Sequence, residues 1–147
     1  MNNTTRNNSK HPSRADNESI VYEYFRLIKN KHINAVLDLF ADDAIIYEPF
    51  SNINGGLKGK GSIKPFLEVV MTASDGLRHE IEFVKAHSTT KMKDNDKEED
   101  QAIVLVTFER GEKLQARYTF EMTSVQGHDD YRDSGKKIQI LHIEFIK

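Results

Sequence analysis

The chain has 147 residues, 30% of them charged, and a formal net charge of -2. That balance gives no electrostatic footprint for nucleic acid, and the absence of cysteine excludes disulfides, thiol catalysis and cysteine-ligated metal. The length suits one domain with one core, and no apolar run approaches the roughly 20 residues that span a bilayer.

Residues Met1 to Asp16 are rich in Asn, Ser and Thr, carry Arg6, Lys10 and Arg14, and offer almost no apolar surface. They read as a disordered tail, 1–16, ahead of a single domain, 17–147, with a weak contact to an acidic partner as the alternative. The N-terminus lacks the apolar stretch of a secretory signal, so a cytoplasmic protein is expected. The Asn-x-Ser/Thr triplets at Asn2, Asn3, Asn7 and Asn17 then carry no glycosylation.

From Asn17 the pattern turns helical. Asp16 or Asn17 can cap, and Ile20, Tyr24, Leu27 and Ile28 recur at helical spacing. Asn30 and Lys31 interrupt it, and a second short helix carries Ile33, Val36, Leu37 and Phe40 on one stripe. Asp42 and Asp43 predict a turn, because their side chains compete for local backbone groups. A strand follows over Ala44 to Phe50, ended or placed at an edge by Pro49. Gly55, Gly56, Gly59 and Gly61 make a flexible loop around a short extended piece at Leu57. Ser62 is the expected cap of a third helix, with Pro65 in its first turn and Ile63, Phe66, Leu67 and Val70 facing inward.

After Gly76 the period changes to two. Strands are predicted over Arg78 to His87, Ala102 to Glu109, Lys113 to Val125 and Lys137 to Ile146. Gly111, inside ERGEK, marks a tight hairpin. The charged segment 89–100 reads as a solvated hairpin loop and 127–135 as a second long turn. Helices first and antiparallel strands after define an α+β domain. Three helices would pack on one face of a strongly curved sheet and leave a conical pocket between the two layers.

Chemistry concentrates on the run LFADDAIIYEP, Leu39 to Pro49, which ends in a carboxylate, Glu48. Tyr24 lies sixteen residues before Phe40. Glu48 sits among Ile45, Ile46, Tyr47, Pro49 and Phe50, a setting in which a general base and a phenolic donor act best because water is excluded. On the third long strand, alternation puts Leu114, Ala116, Tyr118, Phe120 and Met122 on one face and Gln115, Arg117, Thr119 and Glu121 on the other.

The order of elements, the LFADDA turn and the loop GLKGKGSIKPF resemble the nuclear transport factor two-like superfamily, in particular its SnoaL-like and ketosteroid isomerase-like branch. The resemblance covers Asn17 to Ile146. It implies a cystatin-like cone: three N-terminal helices on a strongly curved, mostly antiparallel sheet enclosing a pocket. In ketosteroid isomerases the helix-one tyrosine at the place of Tyr24 donates to the substrate oxyanion, and the carboxylate before the strand-ending proline is the general base. Glu48 matches that base but is one methylene longer, a shift of about 1 Å or more that can lower a rate about a hundredfold. Their third group, a protonated Asp, aligns with Tyr118, or with Arg117 if the register slips by one. Phe40, Ile46, Phe66, Phe120, Met122 and His142 are expected to line the pocket.

The reading is therefore a cofactor-independent isomerase, cyclase or lyase acting on a small apolar or carbonyl-containing molecule, with Glu48 as base and Tyr24 and Tyr118 as donors. The alternative is a non-catalytic apolar-ligand-binding protein or dimeric scaffold of the same fold, and the resemblance implies a homodimer in either case. No metal or cofactor is expected. His128, Asp129 and Asp130 lack any recognised ligand spacing, and Gly55 to Gly61 lacks the Gly-Lys-Ser/Thr order of a phosphate loop. His79 and His142 are predicted near the cavity, and His142 with Glu144 is either an acid–base pair or structural hydrogen bonding.

Overall fold

The computed structural model describes residues 14–51, 54–84, 100–125 and 135–146. The long charged loop and the turn with His128, Asp129 and Asp130 lie outside the described residues, apart from Asp100 and Gly135.

Helix α1 spans Arg14–Lys29 and begins three residues earlier than the sequence pattern suggested, so Arg14 to Asp16 are helical rather than part of the tail. Its buried face runs through Asn17, Val21, Tyr24, Phe25 and Ile28, the spacing of one helical stripe. The helix stops in a Schellman motif. His32 N–H donates to Leu27 O at 3.0 Å and Lys31 N–H to Ile28 O at 3.1 Å. Lys31 takes the left-handed conformation that motif requires, with φ 59°. Helix α2, Ile33–Leu37, is a single short turn that buries Val36.

Phe40 does not belong to α2. It opens strand β1, Phe40–Tyr47, and pairs with Ile138. The expected turn at Asp42 and Asp43 is instead a bulge inside the strand, because Phe40 and Ile45 stand opposite Ile138 and Ile140. The surplus residues leave the ladder and expose both aspartates, as the tendency of Asp to leave a regular ladder predicts. Asp42 meets Lys60 at 3.5 Å, and Asp43 accepts from Gln139 at 3.2 Å. The strand ends at Tyr47, three residues short of Phe50, because the Glu48 carboxylate captures the next free N–H groups and Pro49 has none.

Strand β2, Leu57–Lys58, pairs with β1. Helix α3 spans Lys60–Ala73, and Gly59 rather than Ser62 precedes its first turn. Gly59 O accepts from both Ser62 N–H and Ile63 N–H, so backbone supplies what a side-chain cap would have. Ile63, Leu67 and Met71 form its buried stripe.

Strands β3 (Arg78–Phe83), β4 (Gln101–Arg110), β5 (Glu112–Val125) and β6 (Gly135–Ile146) follow. β3 ends short of the expected His87, and residues 85–99 lie outside the described set. The sheet order is β2-β1-β6-β5-β4-β3, with β1 parallel to β6 and every other pair antiparallel. A second irregularity lies where Glu121 pairs with Ile140 and Met122 with Ile138, leaving Gln139 as the extra residue; such a bulge bends and twists a sheet. The three helices cover one face of this open sheet, and the core lies between the layers. From the strands it takes Ala116, Tyr118, Phe120, Ile138 and Leu141. At one end Lys136 Nζ donates to Asp100 Oδ1 at 3.0 Å and to Asn17 Oδ1 at 3.2 Å, joining β6, the start of β4 and α1. Among the described residues no helix is long and apolar enough to cross a membrane.

Candidate functional site

A cavity of about 700 Å³ opens between α3 and the inner face of the sheet, within the size range of small-molecule pockets. Its helical wall is Phe66, Val69, Val70 and Ala73. These form a second apolar stripe on α3, beside the one that Ile63, Leu67 and Met71 bury in the core. The sheet contributes Phe108, Leu114, Tyr118, Ile143 and Phe145, and the segment after β1 contributes Glu48, Phe50 and Ser51. Arg110, Glu112 and Lys113 stand at the β4–β5 hairpin end. Arg110 donates to Ala73 O at 3.2 Å and Asp75 O at 2.9 Å, which fastens the end of α3 to the sheet.

Glu48 is half-buried on the cavity wall, and its carboxylate is held by its own turn. Oε1 accepts from Phe50 N–H at 2.7 Å and from Ser51 N–H at 3.2 Å, and Oε2 accepts from Ser51 Oγ at 2.5 Å. A carboxylate offers about four lone-pair directions, so about one remains, on Oε2. The Phe50 ring packs edge-on against Phe145 at 5.3 Å and anchors the turn to β6.

Tyr118 lines the cavity from β5 and is 7% exposed. Burial raises its hydroxyl above the ordinary phenol range. Tyr24 is not on the cavity wall. It sits in the sealed core at 1% exposure, its ring centre 6.5 Å from that of Tyr118, among Phe25, Phe40 and Phe120. Among the described residues its hydroxyl has no hydrogen-bond partner. Burial first, and the neighbouring Tyr118 second, push it well above the usual phenol value.

Of the expected pocket residues, Phe66 lines the cavity. Phe40, Ile46, Phe120 and Met122 are buried in the core and do not reach its wall. His142 lies on the other side of the sheet. It pairs with Tyr47 and Thr119, is exposed, and packs its ring on Tyr47 at 5.4 Å. Its predicted partner Glu144 shares that outer face and meets Arg117 at 3.9 Å instead. The bulge at Gln139 explains the reversal: one extra residue flips the parity of β6, sending Ile143 and Phe145 inward. Arg117 also points outward, which leaves Tyr118 as the residue of that pair on the cavity side. His79 is half-buried between Phe25 and Phe108, and desolvation, followed by the charge on Lys29, lowers its basicity. Sequence reasoning passed over Ser51; its signal was a hydroxyl three residues after a carboxylate at a proline-broken strand end. Among the described residues no group of three or more His, Asp or Glu side chains could hold a metal ion.

Fold and sequence together define the class. Residues 21–140 match the SnoaL-like domain family, and the chain belongs to it. No curated protein sequence matches the chain. Among solved structures it is similar to SalBIII, an epoxide hydrolase/cyclase-like enzyme with a role in pyran ring formation in the polyether salinomycin. That match has a TM-score of 0.62 at 18% identity over 90% of this chain and 92% of that one. A ketosteroid isomerase-like protein from Erwinia carotovora atroseptica matches with a TM-score of 0.62 at 13% identity, over 90% of this chain and 95% of that one. An NTF2-like protein of unknown function from Mesorhizobium loti matches with a TM-score of 0.59 at 14% identity, over 93% and 98%. At these identities the likeness concerns the fold.

Proposed function

We propose that this protein is a small-molecule enzyme working by acid–base chemistry on an apolar, carbonyl-containing substrate held in the cavity between α3 and the sheet. The observation that carries the reading is that the Glu48 carboxylate and the buried Tyr118 phenol line the same largely apolar cavity, with Glu112 apart from them at the hairpin end. Glu48 Oε2 takes a proton from the carbon next to the carbonyl. The C–H electron pair moves toward oxygen, and the Tyr118 hydroxyl donates to the developing oxyanion beside the apolar cavity wall. Return of the proton to another carbon gives isomerisation; attack by the enolate carbon gives cyclisation; loss of a leaving group gives elimination. Tyr24, one ring behind Tyr118 and sealed from the cavity wall, takes no part in this scheme. Glu48 and Tyr118 are the two side chains that carry this chemistry in the proposal.

A direct test needs no knowledge of the product. A panel of apolar ketones in D2O is followed by NMR for exchange of the protons next to the carbonyl. The wild type accelerates exchange, and Glu48→Gln lowers the rate by about a hundredfold or more. An unchanged rate in Glu48→Gln refutes the base assignment.

One observation favours a second reading. Three of the four lone-pair directions of Glu48 already serve its own turn, as they would in a non-catalytic pocket protein that merely holds an apolar ligand. In that case Glu48→Gln leaves ligand affinity intact and no ketone exchanges. In both readings a cytoplasmic homodimer is proposed, pairing through the outer sheet face where Ile45, Ile103, Leu105 and Ile140 are partly exposed. Sedimentation analysis of wild type against Leu105→Lys tests the pairing.

A further inference from the structure

We propose that Ser51 is the positioning residue for Glu48, selecting Oε2 as the oxygen that meets the substrate; this rests on the acid–base reading above. The geometry is self-contained. Oε1 is saturated by two backbone N–H groups, from Phe50 and Ser51. Among the described residues Oε2 accepts only from the Ser51 hydroxyl, so it is the oxygen with a lone pair left, and Glu48 and Ser51 both line the cavity. Without the hydroxyl, the two backbone donors on Oε1 let the carboxylate swing about that oxygen. With it, both oxygens are tied and the carboxylate plane is set.

The need for such a clasp follows from side-chain length. Glu has one more rotatable bond than Asp, and each added bond multiplies the orientations in which a base misses the proton it must take. The turn removes that freedom at low entropic cost because its own parts are fixed. Pro49 locks one φ, and the Phe50 ring is packed on Phe145. Gly56 brings the far arm of the loop against β1 so closely that a Cβ there would lie 2.8 Å from Ile45 Cγ2. The clasp thus lies between a locked φ at Pro49, the Phe50–Phe145 ring contact and the close approach of Gly56 to β1.

The experiment is a double-mutant cycle on the ketone-exchange reaction, using Ser51→Ala, Glu48→Gln and the pair, with Ser51→Thr as the conservative variant. Ser51→Ala is expected to lower kcat roughly ten- to hundredfold with KM within about twofold, and Ser51→Thr to restore most of the rate. In the Glu48→Gln background, where there is no base left to position, Ser51→Ala is expected to have an effect of less than about twofold. A fall in kcat/KM that comes from KM, a threonine variant as slow as alanine, or fully multiplicative effects of the two substitutions each overturn the proposal. These outcomes are separable from failure of the acid–base reading. If Glu48→Gln exchanges like wild type, that reading falls and the inference with it. If Glu48→Gln is inactive and Ser51→Ala is unaffected, only the inference falls.

Discussion

Tyr24→Phe removes a single oxygen atom from the centre of the core. In most proteins a buried tyrosine hydroxyl is hydrogen-bonded and its loss destabilises. Here the hydroxyl has no partner among the described residues, and its ring is enclosed by Phe25, Phe40, Tyr118 and Phe120. A buried, unsatisfied polar group costs about 1–3 kcal/mol. The substitution deletes that penalty and opens a void of only one atom, so a net stabilisation of about 1–2 kcal/mol is expected. For a chain of this size that raises Tm by roughly 3–6 °C. Urea and thermal denaturation of the two proteins measure it directly. A second readout follows from the position of Tyr24. Ketone exchange should stay close to that of the wild type, because Tyr24 is sealed from the cavity wall. A variant that is less stable than wild type refutes the reasoning, because the hydroxyl must then be satisfied in the folded protein.

The two phenols also predict an alkaline limb. Their folded values are raised, so the unfolded chain ionises first, and stability is lost as pH climbs above about 10; Tyr24→Phe should weaken that loss in urea midpoints. His79 acts at the other end. Its folded basicity is lowered, so the unfolded chain binds the proton first and stability declines as pH falls below about 6.5, a component that His79→Gln should remove. Gly56→Ala forces a side chain into φ +80° and against Ile45, Ile46 O and Tyr47 at 2.8–3.0 Å, which should destabilise by about 2–4 kcal/mol. Gly61→Ala is the control: nothing lies within 4 Å and the site is helical, so a gain of about 0.5–1 kcal/mol is expected by chemical denaturation. Lys31→Gly relieves a left-handed lysine but gives up an exposed pair with Asp75, and calorimetry should show a net gain of up to about 1 kcal/mol.

The element order was legible because each element announces itself locally. The stripe through Tyr24 and Ile28 reads as helix, and the alternation through Ala116, Tyr118 and Phe120 reads as strand, whatever surrounds them. The same alternation put Tyr118 on the inner face without any knowledge of its neighbours. Local pattern failed where backbone groups found partners from afar. Phe40 has the spacing of a helix stripe, yet the chain extends there because Ile138 N–H donates to Leu39 O from a strand almost a hundred residues later. The pair Asp42–Asp43 has turn chemistry, yet it became a bulge for the same reason.

The site was divided along the same line. The residue types of Glu48, Tyr24 and Tyr118, and the apolar company around Glu48, are written in the chain. Which face each one meets is not. One extra residue at Gln139 decided that Ile143 and Phe145 line the cavity while His142 looks outward, and register is a property of two strands rather than one. Tertiary packing also decided that Phe40, Ile46 and Phe120 belong to the core, that a second stripe on α3 walls the cavity, and that Tyr24 is sealed behind Tyr118. Periodicity along one chain tells which residues turn away from water; only the meeting of elements distant in sequence tells whether they turn toward one another or toward a space left for something else.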